Sequence, residues 1–167
     1  MPILRFFCII ETQIKHILFV TEMFPYKIEE NLELRPVSER YAEDVFLVIK
    51  ENLEHISEWM PWATKDYSID SAKEFIKMNR NRFAENEITD FYIFFENKLV
   101  GIIGFNSPDF RNKSIEIGYW LAKNYNGKGI MTKCCKVLID FAFDELKLNR
   151  IRICCATENF KSQAIPE

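Results

Sequence analysis

Histidine is nearly missing from this chain: His16 and His55 are the only two in 167 residues. A histidine-based metal centre or a Ser-His-Asp triad is not expected from so small a supply, and no metal is assigned. Cysteine is present but not in a useful spacing. Cys8, Cys134, Cys135, Cys154 and Cys155 make an odd number with two vicinal pairs and no C-x-x-C. That pattern fits neither a secreted disulfide framework nor a zinc site, so the cysteines read as small core residues in a reducing, cytoplasmic setting. Five Gly and six Pro are too few for a linker, a collagen-like chain or a disordered one. A basic excess is also missing. Twenty-two Lys and Arg stand against 25 Asp and Glu, for a net charge of −3, and this argues against a dedicated nucleic-acid binder. A cationic or amine-bearing partner is compatible with it.

Long apolar runs are absent where they would matter most. Within residues 1–22 the longest is Phe6 to Ile10, after which Glu11, Gln13, Lys15 and His16 interrupt it. A signal peptide needs an apolar stretch of about 7–15 residues and a membrane helix about 18 or more, so neither is expected, nor is a membrane partner. No cap or turn signal joins this segment to the chain beyond Met23. Residues 1–22 are therefore expected to be an extra segment, with the domain proper running over 23–167.

The chain does have 48% hydrophobic residues and fifteen Phe, enough for one aromatic-rich core in a single domain. The pattern predicts a mixed α/β (α+β) fold. Leu32–Val37 reads as a short strand. A helix opens near Ser38, with Ala42, Val45, Phe46, Ile49 and Leu53 on one face. Ser71-x-x-Glu74 has the form of a capping box for a second helix whose apolar face is Ala72, Phe75, Ile76 and Phe83. Thr89–Glu96 and Leu99–Asn106 predict an antiparallel hairpin turning at Asn97-Lys98. Ser114–Leu121 alternates strictly, with Ile115, Ile117, Tyr119 and Leu121 on one face and Ser114, Glu116, Gly118 and Trp120 on the other. A long helix over about Ile130–Leu146 carries one polar stripe, Lys133, Lys136, Asp140, Asp144 and Lys147, and should lie against a sheet. Arg150–Ala156 reads as a strand buried on both faces, with a loop and helix after it.

Between the alternating strand and the long helix lies Asn124-Tyr125-Asn126-Gly127-Lys128-Gly129. A glycine-containing turn into a helix presents unpaired backbone N–H groups where the helix dipole favours an anion, so it suits a phosphate. It is neither a Walker A loop nor a dinucleotide fingerprint, since Gly129 comes directly after Lys128 and Thr132 occupies the third glycine position. By itself the pair of glycines is equally a tight turn.

Taken together, the hairpin, the strand I-E-I-G-Y-W-L, the G-x-G loop, the long helix, the next strand and Asn159-x-x-Ser162 resemble the GCN5-related N-acetyltransferases. The RimJ/RimL branch, which acetylates ribosomal-protein N-termini, is the one they resemble most. The resemblance implies a mainly antiparallel sheet flanked by helices, acetyl-CoA as donor and a primary amine as acceptor, most fittingly a protein N-terminus. It allows a homodimer. It implies that Gly127, Lys128, Gly129, Ile130 and Met131, with Asn124 before them, hold the CoA pyrophosphate. Trp120, Leu121 and Ala122 would pair with the pantetheine arm as an added strand would, and Asn159 would bond the cofactor's amide portion.

For catalysis the resemblance leaves Glu116 to remove the amine proton and Ser162 to protonate the thiolate. Glu116 also reads as an ordinary salt-bridged strand carboxylate, and Asn159-x-x-Ser162 as a helix cap. Trp59 and Trp62 read either as walls of the acceptor pocket or as core. The family's tyrosine donor has no counterpart among Gln163 to Pro166, and its last strands are not found before Glu167. The domain is thus expected to be incomplete, with a small-amine acetyltransferase and an inactive CoA-binding remnant as the alternatives.

Overall fold

The computed structural model describes residues 25–84 and 90–166. The extra segment 1–22, with Cys8 and His16, and the side chain of Phe83 lie outside the described residues. Six strands form one sheet in sequence order: β1 (Tyr26–Glu29), β2 (Leu32–Pro36), β3 (Asp90–Phe95), β4 (Lys98–Asp109), β5 (Ser114–Leu121) and β6 (Arg150–Arg152). All neighbours are antiparallel except β5 and β6, which are parallel. The helices are α1 (Ala42–Glu51), α2 (Leu53–Ser57), α3 (Ile69–Ala84), α4 (Ile130–Asp144) and the short α5 (Phe160–Gln163).

The sheet is covered on both faces because its strands alternate between two apolar sets. Leu32, Leu34, Phe91, Ile93, Ile103, Phe105, Ile115 and Ile117 face α4, which answers with Ile130, Met131, Cys134, Cys135, Leu138, Phe141 and Ala142. Tyr92, Phe94 and Ile102 face the other way, against Val45, Val48 and Ile49 of α1, Ile56 of α2 and Ala72 of α3. The i, i+3, i+4, i+7 spacing on α4 makes its buried face, in keeping with its polar stripe.

Several local expectations are corrected. The β3–β4 turn is Glu96-Asn97 rather than Asn97-Lys98. Both of its central residues have positive φ, 50° and 61°, the geometry that matches the right-handed twist of a hairpin. Helix α3 is capped by Ser68, not Ser71. The Ser71 N–H donates to the Ser68 hydroxyl at 3.2 Å and the Ser68 N–H to the Ser71 hydroxyl at 3.3 Å, a reciprocal cap one turn earlier. Leu53 does not continue α1. Asn52 breaks the helix and α2 starts anew.

The strand expected over Arg150–Ala156 pairs only over Arg150–Arg152, and it is not buried on both faces. Arg150 and Arg152 are exposed, and so are Cys154 and Cys155, which are not core residues. Cys134 and Cys135 are core, with burial pushing both thiols up to about 12.

That short pairing shapes the molecule. Register holds from Ser114–Arg150 through Ile115–Ile151 to Glu116–Arg152. Strand β5 then continues to Leu121 with β4 as its only sheet partner among the described residues, and its other side opens into a wedge.

Candidate active site

A cavity of about 330 Å³ occupies the mouth of this wedge. Its walls come from four places far apart in sequence. The end of β5 supplies Tyr119, Trp120 and Leu121, and α2 with the loop after it supplies His55, Glu58, Trp59 and Met60. Asn126 and Met131 come from the start of α4, and Glu158 to Ser162 with Ile165 from α5 and its flanks. Of the residues singled out in the sequence, the structure brings together Trp59, Trp120, Leu121, Met131, Asn159 and Ser162.

Trp62 is not among them. It is 46% exposed and packs against Tyr67 instead, with ring centroids 5.9 Å apart and the planes tilted by 51°. Asn124 lines a separate depression with Asp44 and Glu51. Ala122 is buried and its N–H donates to the Val100 carbonyl at 2.8 Å, so that amide is already used.

Gly127, Lys128 and Gly129 do not line the cavity themselves; they lead from Asn126, at its rim, to the start of α4. Gly127 and Gly129 have φ of 75° and 72°, in the left-handed region where a Cβ is penalised, so glycine is required there for conformation. Gly129 is the N-cap of α4, and among the described residues no side chain caps that helix end. The first-turn N–H groups, including those of Ile130 and Met131, therefore point outward without an internal acceptor. Lys128 leans back over the rings of Tyr125 and Phe95, at 5.0 and 5.7 Å, and keeps its charge near the rim.

Glu116 does not line the cavity. It sits at the last paired rung, where the two strands separate, with 26% of its side chain exposed. Its Oε2 accepts from the Cys154 thiol at 3.3 Å and lies 3.9 Å from the Arg152 guanidinium. Asn159 is the N-cap of α5: its Oδ1 accepts from the Ser162 N–H at 3.1 Å, which leaves the NH2 of its amide for another partner.

Two cavity residues escape a reading of the sequence. Strand parity puts Tyr119 on the apolar face, yet its hydroxyl donates to the Ser162 carbonyl at 3.2 Å, tying α5 to β5. Burial pushes the phenol up to about 12, so it stays protonated. His55 sits 3.3 Å from the Asn126 amide nitrogen through Nε2. Its pKa is lowered by burial first and by Lys161 next, against a pull upward from Glu58. A neutral imidazole that accepts from Asn126 is the form this favours. Only a single isolated histidine marks that position in sequence.

Among the described residues no group of three or more His, Cys, Asp and Glu side chains is placed to hold a metal, and no helix is long and apolar enough to cross a membrane.

A sheet whose parallel pair parts beside an uncapped helix N-terminus defines an acyltransferase of the GNAT type, and comparison with known proteins agrees. Residues 31–167 match the Acetyltransferase (GNAT) domain family. Over 146 residues the chain is 36% identical to the "Putative ribosomal N-acetyltransferase YdaF" of Bacillus subtilis (strain 168), the match spanning 87% of this chain and 80% of that one. It is 29% identical over 139 residues to the ribosomal-protein-serine acetyltransferase of Escherichia coli (strain K12), covering 83% and 78%. Among solved structures, the microcin C7 self-immunity acetyltransferase MccE, in complex with acetyl-CoA and AMP, superposes with a TM-score of 0.79 at 30% identity, covering 83% and 77%. The chain belongs to the GNAT acetyltransferase family. Within it, this enzyme is related to the RimJ/RimL ribosomal-protein acetyltransferases.

Proposed function

We propose that this enzyme, working in the cytoplasm, transfers the acetyl group of acetyl-CoA to the N-terminal amine of a protein, a ribosomal protein being the first candidate. The observation that carries the reading is the wedge between β5 and β6, flanked by the uncapped end of α4 and closed by Tyr119 and Ser162. The residues present fit the donor. Open N–H groups from Gly129 to Met131 suit a pyrophosphate, and Lys128 adds charge. The unpaired side of Ile117–Leu121 suits an extended amide-bearing arm, with the free NH2 of Asn159 across the cavity from it.

Acceptor amines arrive protonated, with a pKa of about 7.7–8.0 for an α-amine. Glu116 is positioned at the opening of the wedge to take that proton, directly or through one water. Ser162, whose N–H is held by Asn159, lines the same cavity and would supply the proton that the departing thiolate takes up. Tyr119 fixes the turn that carries it. Glu58 and Glu158 on the cavity wall favour a cationic acceptor before it loses its proton. That same pair suits a small amine, which is the second reading.

A thermal-shift titration with acetyl-CoA, together with thiol release using a short free-N-terminal peptide and small amines, tests this. Peptide-dependent thiol release is the expected result. Release with small amines alone selects the second reading, and a thermal shift without release from any amine selects the inactive remnant.

A further inference from the structure

On the face of the sheet turned away from α4, the side chain expected at position 118 is supplied by another strand. Gly118 is the cross-strand partner of Gly104, and Glu116 that of Asn106. A methyl built on Gly118 would overlap Nδ2 of Asn106, with Cγ of the same amide 3.7 Å away and no other neighbour within 4 Å. The Asn106 carboxamide therefore lies folded over Gly118. It fills the place between the side chains of Glu116 and Trp120, which share that face at i and i+4, about 13 Å apart at ~3.3 Å per residue.

Strand β4 is bent to allow this. Directly after Asn106 its register with β5 slips by one residue, and Ser107 takes a positive φ of 48°. A bulge at this point re-aims the preceding side chain. The carboxamide is half-buried and makes no hydrogen bond among the described residues. It is thus a donor and acceptor held in one place with its hydrogen-bonding capacity unspent.

We propose that Asn106 positions the acceptor by hydrogen-bonding the first peptide group of a polypeptide N-terminus. The amine is thereby held between Glu116 and the cavity wall at Trp120. The proposal rests on the acetyltransferase reading above and narrows its substrate class. The carboxamide can donate its NH2 to the carbonyl of that first peptide group or accept from its N–H through Oδ1, one hydrogen bond in either case, whereas a simple alkylamine has no peptide group to offer. Asn106 is a positioning residue here. Proton transfer stays with Glu116.

The test uses the full chain with Asn106→Ala, Gly118→Ala and the double variant. Gly118→Ala keeps the main chain, because the only atoms its methyl meets are the movable end of Asn106, but it swings that amide away. Either single change should raise the KM for a short free-N-terminal peptide about tenfold, as loss of one hydrogen bond does. The kcat and the acetyl-CoA thermal shift should stay within about twofold of the parent, and the KM for benzylamine should not move. The double variant should be no worse than Asn106→Ala, since both changes remove the same group.

Calorimetric titration of the peptide into CoA-saturated protein needs no turnover and should show the same tenfold loss. If the parent binds peptide, loses it on Asn106→Ala, yet acetylates nothing, the acetyltransferase reading falls while Asn106 keeps its role. Unchanged peptide affinity in Asn106→Ala, an equal rise in KM for peptide and benzylamine, or additive single effects would each overturn the proposal.

Discussion

The Asn126 amide nitrogen and Nε2 of His55 meet at 3.3 Å across 71 residues of sequence, joining the loop before α4 to the helix on the opposite cavity wall. Burial and Lys161 lower the histidine below its ordinary 6.5, and Lys123 adds to this. The folded protein thus prefers the neutral ring, and the unfolded chain binds more protons just below pH 6.5. The contribution to stability is complete above pH 6.5 and is lost as pH falls through the lower, folded value. Melting temperature should decline as pH falls below about 6.5 in the parent, and His55→Gln should flatten that decline. A His55→Gln variant with the parental slope would show that another group titrates there.

Glycines that look alike in sequence should respond differently to alanine. At Gly127 nothing lies within 4 Å of an added methyl, so only the positive φ resists it, at about 1 kcal/mol. At Gly104 the methyl would overlap the half-buried Asp90 carboxylate and come within 2.7 Å of the Asp90 Cα, which is main chain and cannot rotate aside. Gly104→Ala should cost about 3 kcal/mol or more in urea denaturation, the upper end for overpacking. Equal costs at the two positions would remove the steric account.

Strong periodicity makes parts of this fold legible. Alternation marks β5 to the residue, and the polar stripe marks α4 to within two residues. β1, four residues long, and α2, five, carry too few turns of either period to stand out. Arg150–Ala156 misleads for a physical reason. An apolar run says that a segment avoids water, not that it is paired, and here pairing ends at Arg152 while Cys154 and Cys155 stay exposed. The site divides along the same line. Gly127 and Gly129 are legible because local backbone need is written locally. His55 and Asn106 are not, because each acts across the fold, on Asn126 and over Gly118, through contacts that no spacing encodes.

The rim loop should bind CoA through its amides more than through its lysine. Gly129→Val places a β-branched residue at a φ of 72° where α4 begins, so it should abolish the thermal shift with CoA. Lys128→Ala removes one exposed charge and its contact with Tyr125, and should weaken CoA about two- to fivefold at low salt, with less effect at about 0.5 M salt. Parental CoA affinity in Gly129→Val would refute the assignment of the loop.

Glu116 separates a proton acceptor from a structural ion pair, because its partners are known. The Arg152 contact at 3.9 Å is half-exposed and should contribute less than about 1 kcal/mol. Glu116→Gln should therefore leave the melting temperature and CoA affinity close to parental. If Glu116 removes the amine proton, turnover should fall about 10²- to 10⁴-fold. The deficit should be greatest at low pH and shrink toward about pH 9, where more of the amine is already neutral. Arg152→Ala provides the comparison: it breaks the same ion pair and spares the carboxylate, so it should retain most of the turnover. An ion-pair role alone predicts the reverse pattern, with both variants losing a little stability and neither showing a pH-dependent loss of rate. Matching rate profiles for Glu116→Gln and Arg152→Ala would pass the task of proton removal to bulk water or another group.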